Sequence, residues 1–352
     1  MTDRLANIQS LRALAALMVV AIHIHANEVR VAGEPLLSPW FYHGVAGVDL
    51  FFVISGFIMV HVTRNRDHSF GGIAHFWFDR VWRIYPPAIL FTLLTLIALS
   101  IRGTLDDWLS QTSLISSFLL LPQQNHPLLG VAWTLVHELY FYLVFGALLL
   151  LGQRWLPLAL LFWGALIGLG LTIGVAPAAN PWVQVAFHPH TFEFIAGAFA
   201  ALAFHRGWVR FPVVITMLGV VAWIAGALWI GEPAFEGYPA YWGRVLAFGP
   251  ASVLLVLGLA GLERQERLVL PAWSQVIGDW SYSLYLSHVL VIVTLTHLWM
   301  RFAMPGPADN LLMIGLMTGL ALGFSAIAYN VFERPVLKFS KRLGRKLFAK
   351  AG

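Results

Sequence analysis

Ten stretches of the chain are apolar for close to the twenty residues that a helix needs to cross the hydrocarbon of a bilayer. They run over residues 9–27, 45–62, 84–101, 130–151, 157–175, 190–205, 211–230, 243–262, 281–300 and 310–332. The sixth is short and the fifth is rich in glycine. A further run, 114-LISSFLLLP-122, is too short to span and reads as an interfacial or re-entrant piece. No internal repeat is visible. The pattern predicts an all-α integral membrane protein of about ten transmembrane helices, formed by residues 1–337, with residues 338–352 as a basic tail.

Composition agrees with that reading. Of 352 residues, 59% are hydrophobic and only 11% charged, against about 25% charged in a soluble domain. The 15 Trp and 25 Phe suit aromatic belts at the two membrane surfaces. No cysteine is present, which excludes disulfides, thiolate metal sites and cysteine-based acyl intermediates. The first apolar run has no small-residue cleavage site and reads as a span that is kept.

Charge placement orients the chain. With the N-terminus inside, ten spans put both termini in the cytoplasm, and 18 of the 22 Lys and Arg fall on that side. Only Arg30, Arg102, Arg244 and Arg301 fall outside. This is a strong positive-inside bias. The net charge of +5 is thus read as topology facing an anionic inner leaflet, and nucleic acid is not an expected partner.

Ionisable residues inside spans are costly and point to function. The first span reads 11-LRALAALMVVAIHIH-25. Arg12 and His23 are eleven residues apart, so they share one helix face about 16 Å apart along the axis, while His25 lies roughly 140° away. The plainer roles are snorkelling for Arg12 and an interhelical hydrogen bond for His23. The second span opens 47-GVDLFFVISGF-57, which puts Asp49 at the expected depth of His23, where a carboxylate would orient an imidazole base. Asp49 would equally serve as a helix cap. In 79-DRVWRIYPP-87, Arg80 and Arg83 are i, i+3 neighbours suited to phosphate, or simply anchors at the inner surface. In 132-AWTLVHELYFYLVFG-146, Glu138 would orient His23, bind an acceptor hydroxyl or hold a structural hydrogen bond. Weaker candidates for substrate contact are Trp133, Arg244 of 241-YWGRVLAFGPA-251 and His288, which shares a stripe with Tyr282 and Tyr285 in 281-SYSLYLSHVL-290. Glu333 and Arg334 of 332-FERP-335 read as packing and anchoring. His188, His190 and His297 lack a metal-ligand pattern, and no metal site is expected.

Taken in order, these motifs resemble the bacterial membrane-bound acyltransferase 3 family, which includes polysaccharide and O-antigen acetyltransferases and ExoZ-like exopolysaccharide-production proteins. The resemblance covers nearly the whole chain. It implies ten transmembrane helices in the bacterial inner membrane and transfer of an acyl group, usually acetyl, from coenzyme A. It maps the family's essential first-helix histidine onto His23, its partner arginine onto Arg12, its RxxR pair onto Arg80 and Arg83, and its fourth-helix acid onto Glu138. Many members carry two adjacent acids where this chain has His137-Glu138. Acyl-CoA is then a co-substrate rather than a resident cofactor, and the expected acceptor is a glycan or lipid-linked sugar on the outer side. A transporter or flippase, or a non-catalytic subunit of a polysaccharide assembly, would use a similar set of spans.

Overall fold

The computed structural model describes residues 4–31, 35–175, 180–231, 241–302 and 306–348. They form fourteen α-helices among the described residues, with short 3-10 turns between some of them. Eight helical segments are long and apolar enough to cross a membrane. The fifth and sixth predicted spans appear as shorter helices, α7 (Leu156–Thr172) of 17 residues and α9 (His190–His205) of 16. The chain divides into two compact units, residues 1–60 with 192–329 and residues 61–191 with 330–352.

In the first unit, α1 (Ala6–Val31) packs with α12 (Ala272–Trp299) and α13 (Pro307–Ala328) around Ala16, Val20, Ile24, Leu284, Ile292, Met313, Met317 and Ala321. Its N-terminus is capped by another helix. Both oxygens of Glu263, at the end of α11 (Tyr241–Arg264), accept from the backbone N–H groups of Ala6 and Asn7 at 2.7 Å. A carboxylate is the favoured partner for those unsatisfied donors. Helix α2 (Ala46–Thr63) meets α9 through small residues: a methyl group on Gly56 would strike the Phe194 carbonyl, and one on Gly197 that of Val53. Such close backbone contact drives association where lipid removes the hydrophobic drive. Helix α10 (Pro212–Ile230) keeps Gly219, Gly226 and Ala227 buried while Val214, Met217, Leu218, Val221 and Leu228 are exposed. That exposed apolar face suits contact with lipid.

The second unit is built on α3 (Phe70–Arg102). The apolar pattern predicts a span over 84–101, but the helix begins fourteen residues earlier. Ser69 caps it by accepting from Gly72 N–H, and the amphipathic stretch 70–83 is held by contacts that hydropathy does not register. Pro86 and Pro87 lie within it, as membrane helices allow. Trp77 Nε1 donates to the Tyr142 carbonyl at 3.1 Å, and the Trp77 ring fills the space above Gly146, joining α3 to α6 (Trp133–Leu149). The run predicted to be too short to span forms α5 (Leu114–Leu119) and stops at Leu120 in a left-handed conformation, φ 52°. After α13 a single π-helical turn, Tyr329–Glu333, leads into α14 (Arg334–Phe348). The domain boundary drawn at 337 by charge falls inside this helix, and residues 349–352 of the basic tail lie outside the described residues.

Candidate active site

His23 lies on α1, one turn after Val19. The Nδ1 of His23 is 2.8 Å from that carbonyl oxygen and 3.3 Å from Nε2 of His288 on α12. The two rings meet edge to face at 4.7 Å. These contacts determine the tautomers. A carbonyl only accepts, so His23 carries its proton on Nδ1. His288 Nδ1 is 3.1 Å from the Leu284 carbonyl, so it too donates there, leaving its Nε2 as an acceptor facing His23. The Nδ1–H of His23 is therefore shared between Val19 and His288. Its Nε2 keeps a lone pair, with no protein partner among the described residues. His288 is fully buried, whereas His23 is half-buried. An imidazole held at one nitrogen and open at the other is equipped to take a proton or an acyl group.

Asp49 has Arg244 as its charged partner. It lies in the first turn of α2 and pairs with Arg244 of α11, whose Nη2 and Nε donate to Oδ2 at 2.8 and 3.1 Å. Both side chains are buried. The reason is chemical: in a dry interior a guanidinium needs a carboxylate more than a neutral imidazole does. Glu193 of α9 is buried beside them, with a carboxylate oxygen within 4.8 Å of one on Asp49. Sequence reasoning passed over Glu193, although an acid within an apolar helix was a readable signal.

Arg12 sits in the first unit, half-buried, with Nη1 3.4 Å from Gln9 Oε1. His25, on another face of α1, is buried against Tyr42, with Nδ1 3.7 Å from a Glu28 oxygen. Glu28 in turn accepts from the N–H groups of Leu36 and Leu37, tying down the turn after α1.

Arg80 and Arg83 belong to the second unit, and they differ in partners. Arg80 lies over the rings of Phe76 and Tyr142, 5.8 and 5.7 Å from their centroids. The Tyr142 hydroxyl donates to Glu138, so Arg80 and Glu138 are linked through a tyrosine one turn along α6. Arg83 Nη1 is 3.0 Å from Oε1 of the buried Glu333. The RxxR and FERP motifs are thus two halves of one contact, a role for Glu333 that its interfacial position did not reveal. Trp133 opens α6 and stands against His137 and His190, with centroids 5.6 and 6.0 Å away; His188 lies 4.3 Å from His137.

Residues 5–330 match the family model described as an acyltransferase domain. The chain is 29% identical over 304 residues to the exopolysaccharide production protein ExoZ of Rhizobium meliloti (strain 1021), covering 84% of this chain and 90% of that one. It is 26% identical over 372 residues to the peptidoglycan O-acetyltransferase OatA of Listeria monocytogenes, covering 94% of this chain but only 56% of OatA. It is 26% identical over 328 residues to the acyltransferase MdmB of Streptomyces mycarofaciens, covering 82% and 79%. No solved structure matches. With a family match running through almost all its helices, the chain belongs to the acyltransferase 3 family and is a multi-pass membrane acyltransferase.

Proposed function

We propose that this acyltransferase moves an acyl group, acetyl by default, from cytoplasmic acyl-CoA to a hydroxyl of an extracytoplasmic glycan or lipid-linked sugar. It does so from the bacterial inner membrane, with α7 and α9 completing ten spans and both termini in the cytoplasm. The roles in the names of ExoZ and OatA, exopolysaccharide production and peptidoglycan O-acetylation, support a glycan acceptor. The observation that carries the reading is the His23 imidazole, held through Nδ1 with Nε2 open.

In the direct route, Nε2 of His23 takes the acceptor hydroxyl proton while the oxygen attacks the thioester carbonyl. The C–S bond breaks and the proton passes to the departing thiolate, restoring neutral His23. In the two-step route, Nε2 attacks the thioester carbonyl and the C–S bond breaks to release the thiolate; the acceptor oxygen then attacks the acyl-imidazolium, its proton passes to the thiolate, and the C–N bond breaks to restore neutral His23. In both routes His23 becomes positively charged at the crest, and the acceptor nitrogen of His288 stabilises that charge at Nδ1. His288 is thereby a positioning residue. Arg80 and Arg83 bind phosphates of coenzyme A. Glu333 holds Arg83, and Glu138 acts through Tyr142 on the face where Arg80 lies. Asp49 and Arg244 act as one buried pair that sets α2 against α11, and Trp133 offers the acceptor sugar an aromatic surface.

The test is purified protein in bilayers with labelled acyl-CoA and glycan from its own host. Turnover that disappears in His23→Ala at normal protein abundance supports the proposal. Turnover that survives in His23→Ala refutes it.

A further inference from the structure

From Pro307 the chain stays helical to Phe348, 42 residues or about 63 Å at 1.5 Å each. That is twice the roughly 30 Å of hydrocarbon in a bilayer. Helix α13, at 22 residues, uses that thickness alone. The 15 residues of α14, about 22 Å, are too short to cross it. The π-helical turn at Tyr329–Glu333 stands at the junction, a place where a helix can change direction.

The faces of α14 have three distinct characters. Ser340 and Gly344 are buried against α3, where a methyl on Gly344 would come within 3.2 Å of His75 and 3.3 Å of Phe78. Phe348 stacks on His75 at 4.6 Å. Arg334, Lys338, Lys341, Arg342, Arg345 and Lys346 fall within an arc of about 140° on a 3.6-residue helix, with no acid among them. Asp79, the acid of α3 in this stretch, is engaged by Arg66 and lies 3.6 Å from His75. Among the described residues none of the six cations sits in an ion pair. Beside the cationic arc, Phe339, Leu343 and Leu347 form an i, i+4, i+8 row, and Phe339 and Leu347 are 56% and 58% exposed.

We infer that α14 is an interfacial helix that docks on anionic phospholipid. Its apolar row enters the boundary between headgroups and acyl chains, and its cations meet lipid phosphates. Two features select this partner. The cations have no protein counter-charge, and the exposed apolar row lies next to them, as a surface-lying helix requires and a water-exposed tail does not. The helix is also fastened at its start, because Glu333 immediately before it holds Arg83. Lipid docking of α14 therefore fixes one side of the RxxR region.

The chain has no cysteine, so a single Leu347→Cys carries an environment-sensitive fluorophore at one place in the full-length protein. The protein is reconstituted in phosphatidylcholine bilayers with or without 30% phosphatidylglycerol. The expected result is a blue-shifted emission in anionic bilayers, reversed by high salt. It is lost when Lys338, Lys341, Arg342, Arg345 and Lys346 are all changed to Gln. Equal emission in neutral and anionic bilayers overturns the inference, as does a shift that ignores both salt and the Gln changes. A shift produced in neutral bilayers by coenzyme A alone also overturns it, by making the helix a nucleotide-phosphate site. The salt series on the unmodified cations keeps the outcome readable if the five-fold variant does not assemble.

Discussion

Changing His288 to Phe removes the acceptor that faces Nδ1 of His23 while keeping an aromatic ring of similar size in a fully buried place. His23 then has only the Val19 carbonyl, 2.8 Å away, to hold its proton and orient its ring. In the resting state the loss is a long 3.3 Å contact between neutral rings and costs little. On the proposed mechanism His23 is an imidazolium at the crest of the reaction, and the same contact becomes a hydrogen bond to a charged group, worth about 1.5–3 kcal/mol. At 1.36 kcal/mol per decade, kcat should fall about 10- to 150-fold with little change in KM for acyl-CoA. His288→Gln returns an amide oxygen near the same position and should recover most of that loss. A His23→Ala variant sits below both, since it removes a general base worth roughly 10²–10⁴-fold. The assay is initial-rate transfer of labelled acetyl at saturating and limiting acyl-CoA, with protein quantified in each membrane sample. If His288→Phe stays within twofold of the parent, or if His288→Gln is as poor as His288→Phe, His288 does not act by accepting from Nδ1, and the tautomer argument falls.

Other outcomes follow from the same geometry. His25→Ala should cost far less catalysis than His23→Ala, because His25 packs on Tyr42 away from His23; equal losses would mean that both imidazoles serve the reaction. Arg80→Ala with Arg83→Ala should raise KM for acyl-CoA more than it lowers kcat, and Glu333→Gln should move KM in the same direction by releasing Arg83; an unchanged KM in both variants removes the phosphate role. Arg244→Met strands a buried Asp49 and should destabilise the protein by about 3–5 kcal/mol, read as a lower melting point in detergent, whereas Asp49→Asn with Arg244→Met should recover much of it. Gly56→Ala should reduce assembled protein by forcing α2 from α9, a cost of about 1–3 kcal/mol or more; wild-type yield would show that the two helices do not meet so closely.

The helices were legible because lipid imposes one simple rule, continuous apolar length, and the chain obeys it at nearly every predicted span. Legibility failed where a helix left that rule. The first half of α3 carries Arg80, Trp77 and Asp79, and helix there is secured by the Ser69 cap and by α14 rather than by hydropathy. The site divided in the same way. Arg12 and His23 are on one helix, so the periodicity of α1 relates them directly. The partners of His23, Asp49 and Arg83 are on other helices, at separations of 265, 195 and 250 residues, and no local pattern encodes them. Tyr142 is the intermediate case: it stands four residues from Glu138, and that spacing alone places the two side chains together.

Those long-range pairs explain why the polar motifs of this chain pair with one another. An intramembrane charge is expensive alone, so each one selects a complement on a second helix. Asp49 of GVDLFF is answered by Arg244 of RVLAFGPA, and Arg83 of RIYPP by Glu333 of FERP. His23 of the first helix is answered by His288 of SYSLYLSH, but here the match is of another kind. The two ion pairs cancel charge and fix helix against helix, and Glu333 also orients Arg83 for the phosphate role proposed for it. The histidine pair is neutral at both rings and leaves one nitrogen uncommitted. Of the three motif pairs, it alone is organised so that a proton or an acyl group can arrive and leave without stranding a charge in the membrane. On the proposed mechanism, that difference marks His23 as the group that reacts.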